Sequence, residues 1–225
     1  MTLTLHYHPL SSFCWKALVA LYECDAPFEA KLVDLSDAAQ RVALQALWPI
    51  GKFPVLQDHA RNTVVPESTT IIEYLAQYYP GPAPLVPADA DLARRTRLAD
   101  RFYDHYVHMQ MQKVVGDRLR PQGQEDHAGV AAAKAQMQTA YDMIEADLGQ
   151  KVWAMGAAFT MADCAACPAL YYGNVASPIG PARANTQAYL KRLMARPSFA
   201  RVLTEAGPYF HYFPLNFERL SLMGR

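Results

Sequence analysis

The feature that most constrains the fold is a proline at the start of an apolar strand, within Gly-Lys-Phe-Pro-Val-Leu at residues 51–56. Proline has no N–H group and cannot donate to a β-ladder, so Pro54 fits only a strand end, a sheet edge or a bulge. If the Phe53–Pro54 peptide bond is cis, the N–H and C=O groups of Phe53 turn away from the sheet. They are then free to pair with an extended peptide, as an added strand would pair.

A second candidate site follows where the next strand, at residues 63–65, passes into a helix at Glu67 and Ser68. The first N–H groups of a helix have no intrahelical partner and the helix dipole is positive there, so this end suits a carboxylate. A backbone clamp beside a carboxylate site describes a site for a small acidic peptide. Taken alone, Glu67 and Ser68 fit equally well as residues that cap the helix and place charge at its start.

Composition limits the classes of protein that this chain can represent. It has 225 residues, of which 52% are hydrophobic, and its 21 basic residues balance its 21 acidic ones. We therefore expect a substantial core and no nucleic-acid partner. The N-terminus predicts a strand rather than a signal peptide, and no apolar run reaches membrane-spanning length. With only four cysteines a disulfide framework is not expected, and these features together predict a cytoplasmic protein without a membrane partner.

The first eighty residues alternate between strand and helix patterns and end in a hairpin and a helix. This order predicts an α/β domain, residues 1–80, with a mixed four-stranded sheet covered by helices. The expected strands are 3–7, 28–35, 55–56 and 63–65, and the expected helices are 11–22, 37–47 and 67–79.

Prolines crowd residues 80–87 and predict a linker at 81–90. Beyond it, residues 91–225 show helical periodicity only, which predicts an all-α bundle. One expected buried helical face comprises Leu92, Leu98, Phe102, Tyr106 and Met109. The aromatic tail at residues 209–214 is expected to pack back across the bundle. Thr160 and Asp163 have the spacing of a capping box, which we interpret as structural rather than catalytic.

Ser11-Ser12-Phe13-Cys14 lies at the first strand-to-helix turn. A redox enzyme needs Cys-x-x-Cys here, whereas this chain has Ser-x-x-Cys. A serine hydroxyl can donate a hydrogen bond to the thiolate of a ligand, and such charge-assisted bonds are roughly twice as strong as neutral ones. Ser11 also fits a plain helix cap. Cys14 stands at the place of a resolving cysteine, but packing is the favoured interpretation. For Cys164 and Cys167, packing is favoured over a metal or redox motif.

The sequence resembles the cytosolic glutathione transferases of bacterial type, with a serine-type active site, over essentially its whole length. The segments that carry the resemblance are residues 9–16, 51–56, 67–68 and 159–163, in this order and with the linker between them. The resemblance implies a thioredoxin-like N-terminal domain, a helical C-terminal domain, a homodimer, a cis bond at Pro54 and a catalytic Ser11. Ser12 and Tyr7 are the next candidates for the catalytic contact.

The resemblance also assigns the cosubstrate, glutathione, to particular residues, and it implies no metal. The glutathione backbone falls on Phe53 and Pro54, its γ-glutamyl group on Glu67 and Ser68, and its glycyl carboxylate on Lys52. The thiolate would attack a small, largely apolar electrophile in an acceptor pocket of the helical domain. The candidates for that pocket are Tyr7, Phe102, Tyr103, Tyr106 and Tyr209. Two alternatives stay open: a glutathione-dependent thiol–disulfide oxidoreductase or peroxidase, and a non-catalytic binding or scaffold dimer.

Overall fold

A mixed four-stranded sheet forms the N-terminal part of the molecule. The computed structural model describes residues 2–215. The strands are β1 (Leu3–Tyr7), β2 (Phe28–Leu32), β3 (Val55–Asp58) and β4 (Thr63–Pro66), and the helices among them are α1 (Ser12–Glu23), α2 (Ala38–Leu47) and α3 (Ser68–Tyr78). The sheet order is β2-β1-β3-β4. β1 pairs in parallel with β2, and the other two pairs are antiparallel. The predicted mixed sheet is confirmed.

Alternation along β1 explains why this sheet has one apolar face. Leu3 and Leu5 are fully buried in the main core together with residues of α1 and α3, because successive strand residues point to opposite faces. Leu5 lies opposite Leu56 of β3, which is equally buried. A small second cluster of Val33, Leu44 and Val55 packs α2 separately. The first turn of α1 and the start of α3 therefore rest on a rigid base.

The rest of the described chain is a bundle of helices, as predicted. The helices are α4 (Ala90–Phe102), a π-helical segment (Tyr103–His108), α5 (Met109–Asp117), α6 (His127–Leu148), α7 (Met161–Ala176), α8 (Ala184–Ala195), α9 (Pro197–Ala206) and a 3₁₀ segment (Gly207–Tyr212). α7 is buried along almost its whole length and packs against α1. Among the described residues, no helix combines the length and apolar character needed to cross a bilayer.

The buried face of α4 is not the one that the apolar periodicity predicts. Leu98 is 65% exposed and Tyr106 is 48% exposed. The buried side chains form instead a polar stripe, at Thr96, Asp100, Asp104 and His108. The main physical cause is a lysine from α1, which supplies the charge that makes burial of Asp100 and Asp104 tolerable. The π-helical segment shifts the register of the face only from residue 103 onward.

The predicted linker is packed against the protein rather than free. Leu85 is buried, and its C=O accepts a hydrogen bond from the N–H of Met161 at 2.9 Å. The aromatic tail packs back across the bundle as expected as far as residue 215: Phe210 lies in the core, and the ring of Phe213 is 5.0 Å from that of Tyr172. Residues 216–225 of the predicted C-terminal domain lie outside the described residues, and the domain limits themselves stay a prediction.

The capping box at the start of α7 is present. The buried carboxylate of Asp163 accepts hydrogen bonds from the N–H groups of Thr160 and Ala154, both at 2.8 Å, and from the hydroxyl of Tyr189 at 2.5 Å. One side chain thus joins the helix start, the preceding loop and α8.

Candidate active site

Ser11 caps the helix that begins at the end of the first strand-to-helix loop. Its backbone is extended (φ −74°, ψ 116°), and its hydroxyl oxygen accepts a hydrogen bond from the N–H of Cys14 at 3.3 Å. The N–H of Ser11 donates to the C=O of His8 at 3.0 Å, which fixes the loop. The cap uses the hydroxyl oxygen as an acceptor for the Cys14 N–H, and the same hydroxyl also lies within hydrogen-bond reach of the Cys14 thiol.

The Phe53–Pro54 peptide bond is cis, as the family resemblance implies. Pro54 is buried immediately before β3 begins at Val55. The ring of Phe53 stacks on that of His8, with centroids 5.9 Å apart and an interplanar angle of 15°. The loop that carries Ser11 and the turn that carries Phe53 are therefore in direct contact.

Glu67 joins β4 to α3 in an unusual backbone conformation. Its φ is +69°, in the left-handed region that non-glycine residues rarely occupy. Residues held this way cluster at ligand sites, because the surrounding structure has to enforce the conformation. Glu67 occupies the cap position of α3 without making a side-chain cap hydrogen bond. Its carboxylate is therefore not used by the helix itself, while Ser68 is buried at the first helical position.

One cleft of about 620 Å³ contains all the residues that the sequence predicts for glutathione. Its lining includes Ser11, Lys52, Phe53, Pro54, Glu67 and Ser68. The opposite wall comes from the π-helical region: Arg101, Asp104, His105, Met109 and Gln112. Sequence reasoning missed this wall, since most of its residues are polar and the π-helical segment changes which face the later ones share.

The runner-up catalytic residues lie in different places. Ser12 is buried and lines a neighbouring cleft of about 320 Å³, which shares Ser11, Phe53 and Gln112 with the first. Tyr7 lines neither cleft. Burial raises the pKa of the Tyr7 phenol, and the nearby Tyr209 adds to the rise.

The remaining acceptor-pocket candidates are not gathered around Ser11. Phe102 and Tyr103 line a separate cleft of about 330 Å³ between α4 and α6. Tyr106 is half exposed and packs against Phe102, with ring centroids 5.3 Å apart. Like Tyr7, Tyr209 lines neither of the clefts that contain Ser11. The apolar residues that do adjoin Ser11 are Leu10, Met111, Val115, Tyr172 and Phe213.

A buried charge cluster lies beneath the cleft. The Lys16 ammonium is fully buried and contacts the carboxylates of Asp100 at 2.6 Å and Asp104 at 2.8 Å. It also donates to the hydroxyl of Thr69 at 2.7 Å, next to Ser68. Arg101 reaches the same two carboxylates from the cleft. Burial alone would raise the pKa of Asp104, but His108 and Lys16 outweigh it and hold that pKa at about 2. In the sequence, the only indication of this buried charge cluster was a lysine, Lys16, within the apolar helix α1.

The cysteines have no access to a ligand. Cys14 is fully buried, and burial raises its pKa to about 12. Cys164 and Cys167 are also fully buried, and burial raises the pKa of each well above its ordinary value. Across residues 2–215, no group of histidines, cysteines and carboxylates has the arrangement of a metal site. These thiols act as packed apolar groups.

Comparison with known proteins agrees with the two-part fold described above. Residues 5–83 match the model of the glutathione S-transferase N-terminal domain, and residues 102–197 match that of the glutathione S-transferase C-terminal domain. Among curated proteins, FtsZ-localized protein A of Caulobacter vibrioides is 30% identical, covering 95% of this chain and 98% of its own length. Glutathione S-transferase GstB of Escherichia coli is 25% identical over 84% of this chain and 91% of its own.

A solved structure is similar in fold. It is a glutathione S-transferase from Methylobacterium radiotolerans in complex with glutathione sulfonate. The TM-score is 0.77 at 28% identity, covering 89% of this chain and 93% of that one. With both family models matched and the two-part fold in place, the chain belongs to the cytosolic glutathione transferase family.

Proposed function

We propose that this protein is a glutathione transferase in which Ser11 stabilises the thiolate of glutathione for attack on a small electrophile. One observation carries the proposal: Ser11, the cis Phe53–Pro54 turn and the Glu67–Ser68 helix start line a single cleft. Each feature alone has a structural explanation, but a cap, a proline turn and a strained helix start have no structural reason to converge.

The thiol contact follows from the position of Ser11 at the start of α1. Its hydroxyl donates to the ligand sulfur while its oxygen holds the helix N–H of Cys14. A bond to the thiolate is stronger than the same bond to the neutral thiol, so it lowers the pKa of the thiol. The positive end of the α1 dipole acts in the same direction. The protein thus needs no thiol of its own.

The peptide contacts follow from the other two segments. The backbone of Phe53 pairs with the cysteinyl backbone of glutathione as an added strand does. The buried Ser68 and the first N–H groups of α3 receive the γ-glutamyl carboxylate, and the Glu67 carboxylate, which makes no cap hydrogen bond, receives its ammonium. Lys52, on the rim of the cleft, receives the glycyl carboxylate.

Calorimetric titration with glutathione, combined with a conjugation assay on several classes of electrophile, tests the proposal. Ser68→Ala should weaken glutathione affinity about tenfold, the cost of one hydrogen bond to a charged group. The matched variant Ser36→Ala, at an exposed loop serine outside the cleft, should bind as the wild type does. Absence of binding by a folded wild-type protein would contradict the proposal.

A homodimer is part of the same proposal. Large apolar side chains are exposed on α4 and α6, at Leu98 (65%) and Met143 (54%), and on the N-terminal part at Val64 (39%) and Tyr78 (38%). In a two-fold dimer, Leu98 and Met143 of one protomer would cover Val64 and Tyr78 of its partner. All four side chains would then be buried, whereas a monomer would leave them exposed to water.

A scaffold function is the second candidate, because the relative at 30% identity is named FtsZ-localized protein A. Failure to bind glutathione together with co-sedimentation with FtsZ polymers would favour it. Glutathione-dependent thiol–disulfide exchange through Cys14 has no such support, since that thiol is buried and its pKa is raised to about 12.

A further inference from the structure

The cleft beside the glutathione site has apolar walls and very few free hydrogen-bond donors. Its volume is about 320 Å³, and none of the described residues that line it carries a charge. Of its polar side chains, Ser11 serves the thiol in the proposed function. The hydroxyl of Tyr172 already donates to the C=O of Leu10 at 3.1 Å. Ser12 and Gln112 are the donors that remain.

Ser12 and Gln112 form a contacting pair at the junction of the two clefts. The Nε2 atom of Gln112 lies 3.5 Å from Oγ of Ser12, at the long limit of a hydrogen bond. Gln112 lines both clefts, whereas Ser12 is only 5% exposed and lines the apolar one. The hydroxyl proton of Ser12 and the second amide proton of Gln112 have no acceptor among the described residues. Both line the same cleft as Ser11, the residue that contacts the sulfur in the proposed function.

We propose that Ser12 and Gln112 bind the carbonyl oxygen of the acceptor substrate, and that the acceptor is a small, neutral α,β-unsaturated aldehyde or ketone. This inference rests on the proposed function. An uncharged apolar cleft favours a neutral molecule with a short hydrocarbon body. Two donors beside the sulfur favour an acceptor whose oxygen gains negative charge as the new bond forms.

The chemistry balances without any further reactant. The glutathione thiolate forms a sulfur–carbon bond at the β-carbon, and the C=C electron pair shifts to join the α-carbon to the carbonyl carbon. The carbonyl π pair becomes a lone pair on oxygen, and the resulting enolate accepts hydrogen bonds from Ser12 and Gln112. Water then supplies a proton to the α-carbon, which replaces the proton that the thiol released on ionising. No group leaves, and nothing is oxidised by an outside reagent.

The test compares two acceptors of similar size that differ in where charge develops. But-3-en-2-one places it on oxygen, whereas 1-iodopropane releases iodide and has no oxygen. Gln112→Leu removes the amide and leaves an apolar side chain. It should lower kcat with the ketone about 100- to 1,000-fold, the range seen when an oxyanion-hole donor is removed, and lower iodide release far less. Gln112→Glu should be slower still with the ketone, because its carboxylate repels the enolate.

Two further variants make the result decisive. Gln110→Leu is the matched control on the same helix and lines neither cleft, so it should change neither rate. Ser12→Ala gives an independent reading if Gln112→Leu does not fold. Equal losses with both acceptors, no loss with either, or a wild type active only on the iodoalkane would overturn the inference while leaving the proposed function intact. A wild type that conjugates glutathione to neither acceptor would count against the proposed function itself.

Discussion

At the scale of single residues, Ser11 and Cys14 have side chains of similar size at the start of α1 but differ in their access to the cleft. The Ser11 hydroxyl lines it, whereas the Cys14 thiol is fully buried three residues later. A thiol whose pKa is raised to about 12 has almost no reactive thiolate at neutral pH. In the proposed function, the chemistry therefore depends on a thiol that the ligand brings.

Cys14→Ala should consequently keep the wild-type rates of glutathione conjugation and of mixed-disulfide reduction, if the protein has the latter. Stability should fall by about 1 kcal/mol, as expected for a small cavity in the core. Rates of both reactions and urea unfolding midpoints measure this. Loss of disulfide-reducing activity in a folded Cys14→Ala protein would instead assign Cys14 a redox role.

At the scale of elements, α1, α3 and α4 are held together by charges rather than by apolar contact alone. Lys16 lies between the carboxylates of Asp100 and Asp104 with no exposure to solvent. Removing one partner from a buried ion cluster leaves uncompensated charge, which costs about 3–5 kcal/mol. In urea unfolding, Lys16→Met should lower the free energy of unfolding by that amount. The matched substitution at an exposed lysine, Lys113→Met, should keep the free energy of unfolding within about 0.5 kcal/mol of the wild type.

The same cluster predicts an acid dependence. The pKa of Asp104 is held at about 2, below its ordinary 3.8, so its stabilising effect is complete above pH 3.8 and is lost as pH falls towards 2. The free energy of unfolding of the wild type should decline through that interval, and Asp104→Asn should decline less steeply. Parallel acid profiles for the two proteins would contradict this assignment.

The start of α7 makes a second prediction at this scale. Asp163→Ala should destabilise the protein by about 2–4 kcal/mol and slow refolding, because four N–H or O–H donors lose their shared acceptor. Asp163→Asn, which keeps the size of the side chain and one acceptor oxygen, should destabilise the protein less. Stopped-flow refolding and equilibrium unfolding measure both effects. Unchanged refolding in Asp163→Ala would mean that the capping box forms after the rate-limiting step.

At the scale of the whole molecule, local patterns predicted most of the fold and only half of the site. Some features depend only on residues that are close together in the chain, so they could be recognised from the sequence. These are the strand–helix alternation, the Pro54 turn and the Thr160–Asp163 capping box. The pairing of Lys16 with Asp104 joins residues 88 positions apart, and the π-helical shift leaves no mark in hydrophobic periodicity. The α4–α5 wall of the cleft, including Gln112, could not be predicted for that reason.

The apolar side chains exposed on α4 and α6 argue for a dimer. Leu98→Arg should convert a dimer into a folded monomer, because a charge at the centre of an apolar contact loses its hydration without a partner. Light scattering gives the mass, and circular dichroism confirms that the helices persist. The exposed Val42→Arg, away from α4, is the control. A wild-type protein that is monomeric at micromolar concentration would rule out this interface.

The central claim is that Ser11 activates the thiol of bound glutathione, and a spectral titration of thiolate absorbance in the complex tests it most directly. We expect the thiol pKa of bound glutathione to lie at least about one unit below that of free glutathione, equivalent to about 1.4 kcal/mol. Ser11→Ala should raise it back towards the free value with little loss of glutathione affinity, whereas Ser12→Ala should not. A bound thiol pKa equal to the free value in the wild type, or unchanged by Ser11→Ala, would contradict the account.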